Sequence, residues 1–311
     1  MTDAATSLRS AAAQTGKGTI LFGGSGFLGP YILKNYPDMI SVGRTPPQTT
    51  NRHVQVESLA NLDPLRDVDF DHVIYIIGNT DHHNLEKEVI PRGEPTAFDY
   101  HTIPLFQTME QLKQRPIKKF IHFSTILIYD EKRLTLPVSE HAPIDPYKNR
   151  YVCSKYLAEE ACGFYARWVP IINVRLSNMY GPTRLGRYDL THVLIRQLLR
   201  EGRGQVWSTK PKRDFLYAED AAHAVVKLLD TDYTGTLNLG TGTMTSVRTM
   251  VDLLEELSGC QIIDLDKPVS GPMRFRCDMT TLNSLIDWTP RFSTEAGLRR
   301  TWELMREWSK A

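Results

Sequence analysis

Tyr151 and Lys155 stand four residues apart in the run Tyr151-Val152-Cys153-Ser154-Lys155. On a helix, positions i and i+4 share one face. A Lys ammonium placed there favours the ionised form of the neighbouring phenol. A tyrosine tuned in this way exchanges a proton with a substrate hydroxyl or carbonyl. The spacing alone is common on surface helices, and it gains meaning from a second run near the start of the chain, Gly23-Gly24-Ser25-Gly26-Phe27-Leu28-Gly29. Gly23, Gly26 and Gly29 fit one dinucleotide-type spacing; Gly24, Gly26 and Gly29 fit another. A turn without β-carbons lets the backbone approach a pyrophosphate, and the N–H groups that open the following helix attract the anion.

The elements that must hold these residues follow from the apolar pattern. Short apolar runs at 18–22, 39–42, 53–56, 72–77, 120–124, 171–176 and 236–239 read as strands. Helical patterns lie at 27–33, 102–114, 151–167, 190–200, 220–229, 249–257 and 295–308. Strands alternating with helices imply crossover connections and a parallel sheet, and strands apolar along their whole length imply cover on both faces. The expected fold is therefore α/β, a Rossmann-type doubly wound parallel sheet with a smaller mixed α/β C-terminal lobe. The expected division is a flexible tail at 1–16, a dinucleotide-binding domain at 17–180 and 213–240, and a substrate lobe at 181–212 and 241–311.

Composition narrows the class. With 37 Lys plus Arg against 36 Asp plus Glu, the net charge of +1 gives no pull toward nucleic acid or an anionic membrane. No apolar run approaches the roughly 20 residues of a membrane-spanning helix, and the first sixteen residues lack the apolar segment of a secretory signal. Cys153, Cys162, Cys260 and Cys277 form no C-x-x-C pair, which fits scattered reduced thiols in a cytoplasmic protein. His82 and His83 follow the fourth strand, but no further ligands stand at metal-binding spacing, so no metal is expected. The second strand ends at Gly43-Arg44, where a carboxylate would meet the ribose 2′-hydroxyl of NAD. Arg44 suits a 2′-phosphate instead, so NADP(H) is favoured, with NAD(H) as the alternative.

Taken together, these runs resemble the extended short-chain dehydrogenase/reductase family, in its nucleotide-sugar epimerase/dehydratase/reductase branch. The resemblance covers about Gly18 to Pro290. Its motifs, in order, are the Gly23–Gly29 turn, Phe123-Ser124-Thr125 with Ile128-Tyr129, Tyr151 to Lys155 with Glu159, and Arg175 to Pro182. Arg213-Asp214-Phe215-Leu216-Tyr217 with Asp220, Asn238 to Gly242, and Asp287-Trp288-Thr289-Pro290 complete the set. The resemblance implies that Tyr151 is the catalytic acid/base, with Lys155 its partner and a ligand of the nicotinamide ribose, and that Thr125 holds the reacting oxygen. It implies that Gly23, Gly26, Phe27, Leu28 and Gly29 line the cofactor with Arg44, Tyr151 and Lys155. It implies a nucleotide-diphosphate sugar as substrate, with Ser124, Asn178, Arg213 and Arg274 on its side of the cleft and Arg276 as the alternative to Arg274. A homodimer through the Tyr151 helix and its neighbour is also implied.

Departures from the family pattern refine the expectation. Where the 4,6-dehydratases carry an Asp-Glu pair after the catalytic Thr, this chain has Ile126 and Leu127. The cysteine acid of the double epimerase-reductases is missing as well. The position often held by Asn on the central helix is His101, with Pro104 nearby. The expected activity is reduction of a keto group, at carbon 4, of a nucleotide-linked sugar with Tyr151 as proton donor. The alternative is a 4-epimerase with bound NAD, and a third reading is a non-catalytic dinucleotide sensor. The identity of the sugar and its nucleotide is not written in these motifs.

Overall fold

The computed structural model describes residues 18–80, 85, 90–269 and 271–310. The expected tail and His82 and His83 lie outside the described residues. The strands run β1 (Gly18–Phe22), β2 (Ile40–Gly43), β3 (His53–Gln55), β4 (Phe70–Tyr75), β5 (Lys119–Thr125), β6 (Ile171–Leu176) and β7 (Asn178–Tyr180). They continue as β8 (Gly204–Val206), β9 (Lys212–Arg213), β10 (Phe215–Tyr217), β11 (Gly235–Leu239), β12 (Thr245–Ser246) and β13 (Ile262–Asp264). The helices are α1 (Gly29–Asn35), α2 (Ala97–Leu112), α3 (Arg150–Tyr165), α4 (Leu190–Glu201), α5 (Ala218–Leu228), α6 (Val247–Ser258), α7 (Thr280–Leu285) and α8 (Thr294–Trp308).

Seven strands form one sheet in the order β11-β6-β5-β4-β1-β2-β3, and every pair in it is parallel. The strand order reverses between β1 and β4, which opens a crevice at the carboxyl ends of the strands, the place where such sheets bind ligands. Alternate strand residues feed opposite faces. Leu21, Ile74, Ile121, Ile172 and Leu237 pack with α1 and α5, while Ile20, Val73, Tyr75 and Phe120 pack with α2 and α3. A third apolar cluster joins Leu194, Leu198, Val251, Leu254, Leu298 and Trp302 from α4, α6 and α8. The fold class is as expected. α2 begins five residues earlier than its apolar pattern suggests, because the Asp99 carboxylate accepts from the Thr96 backbone N–H at 2.8 Å and closes the first turn.

One buried residue of the sheet makes stability depend on pH. His122 of β5 donates from Nδ1 to Asn173 Oδ1 at 2.9 Å. Burial, assisted by the nearby Lys155 charge, lowers its pKa from 6.5 to about 3 against the opposing bond to Asn173. The unfolded chain takes up this proton near pH 6.5 and the folded chain only near 3, so the unfolded state binds more protons across that window. Stability is full above the window and falls as the pH drops through it. A loss of about 3 kcal/mol by pH 4 is expected from this residue. Acid titrations of urea unfolding check it: the His122→Asn variant should be flatter between those pH values than the parent.

Candidate functional site

The glycine turn joins β1 to α1 at the reversal of strand order. Gly23 has φ +94, where a β-carbon is strained, and its N–H donates to Val42 O while its carbonyl accepts from Gly26 N at 3.0 Å. A β-carbon on Gly24 would stand 2.4 Å from Ser41 Oγ, and one on Gly29 would stand 2.3 Å from the backbone oxygen of Gly24. The turn is thus folded on itself as tightly as glycine allows, which leaves its outer backbone bare toward the crevice. That fits a pyrophosphate. Phe27 and Leu28 are buried behind it. Arg44 is solvent-exposed just past the end of β2.

The proton-transfer candidates assemble across the crevice from this turn. Asn149 starts α3 by accepting the Val152 N–H at 2.8 Å, which places Tyr151 and Lys155 on the face toward β4 and β5. Both are buried, at 4% and 6% exposure. Thr125, at the end of β5, lies beside the Tyr151 phenol and favours its ionised form, and its Oγ1 accepts the Leu127 N–H at 3.2 Å. Its neighbour Ser124 holds a buried hydroxyl oxygen with no hydrogen-bond partner among the described residues, a feature suited to a bound polar ligand. Ile126 is buried and Leu127 is half-buried, so the two positions after Thr125 bring no carboxylate.

The electrostatics of the pair differ from the expectation. Burial pushes the Tyr151 phenol up to about 12, opposed by the bond to Thr125 and by the charge of Arg187. Lys155 donates to the carbonyl oxygen of Phe123 at 2.9 Å, and its pKa falls to about 8 through burial, against the pull of Glu159. Lys155 thus gives one of its three N–H donors to β5, and burial is the largest influence on the Tyr151 phenol.

His101, which the sequence marks only as a departure from a pattern, proves central. It is 1% exposed on α2. Its Nδ1 lies 2.8 Å from Ser154 Oγ, and Ser154 in turn donates to the Tyr151 carbonyl oxygen at 2.8 Å. Its Nε2 accepts from Asn79 N at 3.1 Å. The ring stands edge-on to the Tyr151 ring at 5.3 Å. A β-carbon on Gly78 would meet both His101 Cδ2, at 3.0 Å, and Lys155 Nζ, at 3.4 Å. One ring thus ties the end of β4 to α3.

The substrate-side candidates fall into two groups. Asn178 of β7 donates from Nδ2 to Asp214 O at 3.2 Å. Arg213 of β9 donates from Nε to Pro272 O at 3.0 Å. Backbone bonds from Lys212 N to Met273 O and from Phe275 N to Lys212 O lay residues 212–213 beside 273–275, so two basic runs distant in sequence meet. Arg274 is exposed there, whereas Arg276 is half-buried and its Nε has no partner among the described residues. Sequence reasoning missed Arg187, in the loop between β7 and α4. It reaches Phe27 of the glycine turn, with its guanidinium carbon 4.0 Å from the ring centre.

Comparison with known proteins agrees with this layout. The profile described as the NAD dependent epimerase/dehydratase family matches residues 19–240. A putative UDP-glucose 4-epimerase of Methanocaldococcus jannaschii is 27% identical over 304 residues, 92% of this chain and 98% of that one. GDP-L-fucose synthase 1 of Arabidopsis thaliana is 29% identical over 208 residues, 60% of this chain and 63% of its own. Among solved structures, the UDP-glucose 4-epimerase of Thermotoga maritima superposes with a TM-score of 0.81 at 22% identity, covering 93% of this chain and 99% of that one. The UDP-glucuronic acid 4-epimerase of Bacillus cereus, in complex with UDP-glucuronic acid and NAD, gives 0.80 at the same identity and coverage.

Proposed function

The chain belongs to the NAD-dependent epimerase/dehydratase family, and from that premise we propose that it moves a hydride at carbon 4 of a sugar linked to a nucleoside diphosphate, inverting that carbon. The observation that carries the reading is the burial of Tyr151 together with Thr125 and Lys155, with apolar Ile126 and Leu127 where a dehydrating site needs an acid and a base. The nicotinamide, when bound, supplies the hydride acceptor and donor. Thr125 orients the sugar oxygen. Tyr151, reacting as the phenolate, takes the hydroxyl proton as carbon 4 is oxidised and returns it when the other face is reduced. Lys155 and His101 hold the α3 helix and the end of β4 in register around the nicotinamide ribose. Asn178, Arg213 and Arg276 take the diphosphate, and the orphaned Arg276 Nε favours it over exposed Arg274. Residues 17–180 with 213–240 hold the dinucleotide in this reading, and 181–212 with 241–311 hold the nucleotide sugar.

NAD is the cofactor we favour, since solved neighbours of the same fold hold NAD. Arg44 supports a second reading, a keto-sugar reductase using NADPH, because an exposed guanidinium at the end of β2 suits a 2′-phosphate. The two separate cleanly. Incubation with UDP-glucose and UDP-glucuronic acid should yield the carbon-4 epimer with no net change in cofactor absorbance. Stoichiometric loss of NADPH with a 4-keto sugar, and no epimer, would favour the reductase.

A second copy of this chain is the proposed partner. Ile103 and Phe106 on α2 and Leu157 and Phe164 on α3 are 36–48% exposed on adjoining helices, an apolar face of the kind that pairs with itself. Phe164→Glu combined with Ile103→Glu should convert a dimer to a monomer in sedimentation velocity. An unchanged sedimentation coefficient would remove this face from the interface.

A further inference from the structure

Two runs that stand out in the sequence, Arg213-Asp214 and Asn238 to Gly242, take no part in the proton chemistry proposed above, yet they meet. Asp214 lies between β9 and β10 and is 0% exposed. Its Oδ1 accepts the Thr241 N–H and the Thr241 hydroxyl, both at 2.8 Å. Its Oδ2 accepts the Gly242 N–H at 3.0 Å and the Cys277 N–H at 3.2 Å. Gly240 makes room for this: a β-carbon there would stand 2.6 Å from Asp214 Oδ2 and 2.7 Å from Cys277 Sγ. Val138 holds the 276–278 strip as well. Its N–H donates to Arg276 O and its carbonyl accepts from Asp278 N, each at 2.8 Å, while Asn238 Nδ2 donates to Val138 O at 2.9 Å. One buried carboxylate thus joins β9–β10, the turn after β11 and the 276–278 strip.

Every diphosphate ligand proposed above is one step from that carboxylate. Arg213 precedes Asp214 in the chain. Arg276 precedes Cys277, whose N–H the carboxylate holds. Asn178 donates to the Asp214 carbonyl oxygen from its backbone N and from Nδ2, both at 3.2 Å. Backbone bonds seat Met273 and Phe275 on Lys212, and the Cys277 bond to Asp214 continues that seating past Arg276. We propose that Asp214 is the positioning residue of the diphosphate site, its carboxylate setting Arg213 and Arg276 at the separation at which they meet the two phosphates. The inference rests on the assignment of Asn178, Arg213 and Arg276 to the diphosphate. A guanidinium fork recognises phosphate by geometry, so its affinity depends on where its backbone is fixed. Three of the four donors on Asp214 are backbone N–H groups, and each carboxylate oxygen receives at least one. In Asp214→Asn the amide NH2 therefore faces a backbone N–H whichever way it turns.

Calorimetric titration of the full chain, with NAD present, tests this with UDP, or with GDP where the parent binds it more tightly. Asp214→Asn should weaken the nucleoside diphosphate by about 30-fold and raise the KM of the nucleotide sugar by a similar factor, with kcat within about threefold of the parent and NAD affinity within about twofold. Thr241→Val removes one donor and keeps the backbone N–H, so it should weaken the same ligand by about threefold. It also serves if Asp214→Asn fails to fold. In a chain carrying Arg213→Gln and Arg276→Gln, adding Asp214→Asn should weaken the ligand by less than about threefold, because the residues it acts through are gone. A merely structural role reads differently. A smaller folded fraction lowers apparent kcat and the calorimetric stoichiometry together and leaves KM and the dissociation constant unmoved. That result, or an undiminished loss in the chain lacking both arginines, would overturn the proposal. The titration needs no turnover. Weakened diphosphate binding in a chain inactive on nucleotide sugars would sink the epimerase reading and keep the role of Asp214, whereas an active chain whose KM ignores Asp214→Asn would do the reverse. A parent that binds neither nucleotide would overturn both.

Discussion

Tyr151→Phe should lower kcat by about 10³-fold while leaving NAD affinity and the melting temperature close to those of the parent. The substitution removes one oxygen and nothing else. The ring remains packed in the cluster with Ile126, Ile128 and Val152 and edge-on to His101, so the helix and the crevice keep their shape. What disappears is the group that, in the proposed reaction, accepts the hydroxyl proton as carbon 4 is oxidised, and positioned proton transfer is worth about 10²–10⁴ in rate. Thr125→Val should cost less, because the oxygen it orients can still reach Tyr151. The check is a steady-state comparison with a parallel thermal melt. A Phe variant within threefold of the parent would move the proton chemistry to another residue.

Gly29→Ala should weaken NAD binding by about 100-fold and lower stability by about 2–3 kcal/mol. The new β-carbon would lie 2.3 Å from Gly24 O and 2.6 Å from Gly24 Cα. Those are backbone atoms, which cannot swing aside as a flexible side chain would. The turn must open, and with it the bare surface proposed to meet the pyrophosphate. Gly163→Ala on α3 is the control: nothing lies within 4 Å of its β-carbon position, and an alanine in a helix is favourable by up to about 1 kcal/mol. Calorimetric titration with NAD and chemical denaturation of both variants measure the contrast. Equal affinity in the two would mean that the turn is not the dinucleotide cradle.

Much of this architecture was readable in the chain, for a definite reason. A parallel strand covered on both faces must be apolar along its length, so the runs at 18–22, 120–124 and 171–176 stand out without knowledge of their neighbours. Strands of two or three residues carry no such mark. β7, β9, β10 and β12 exist because a distant segment lies beside them, as Asn178 pairs with Phe215 and Lys212 with Ser246. The membership of the site follows the same division. Gly23, Gly26, Gly29, Thr125, Tyr151 and Lys155 occupy motifs whose spacing is the geometry. Arg187 lies in a loop without periodicity, and its reach to Phe27 depends on how residues 181–189 fold back. Arg274 and Arg276 look equivalent two residues apart, and only the docking of 273–275 on Lys212 leaves one exposed and the other half-buried. The electrostatics were least legible. Helical spacing places Lys155 near Tyr151, but the carbonyl of Phe123, from a strand about 30 residues away in sequence, decides where its ammonium points.

The most direct test of hydride and proton transfer at this site uses UDP-hexose carrying deuterium at carbon 4, with NAD at a small fraction of the sugar concentration, followed by proton NMR and mass spectrometry. The expected result is the carbon-4 epimer with deuterium retained at that carbon, formed over many turnovers by the parent protein and about 10³-fold more slowly by Tyr151→Phe. Exchange of the deuterium with solvent, loss of water from the sugar, or an equal rate in the Phe variant would contradict it.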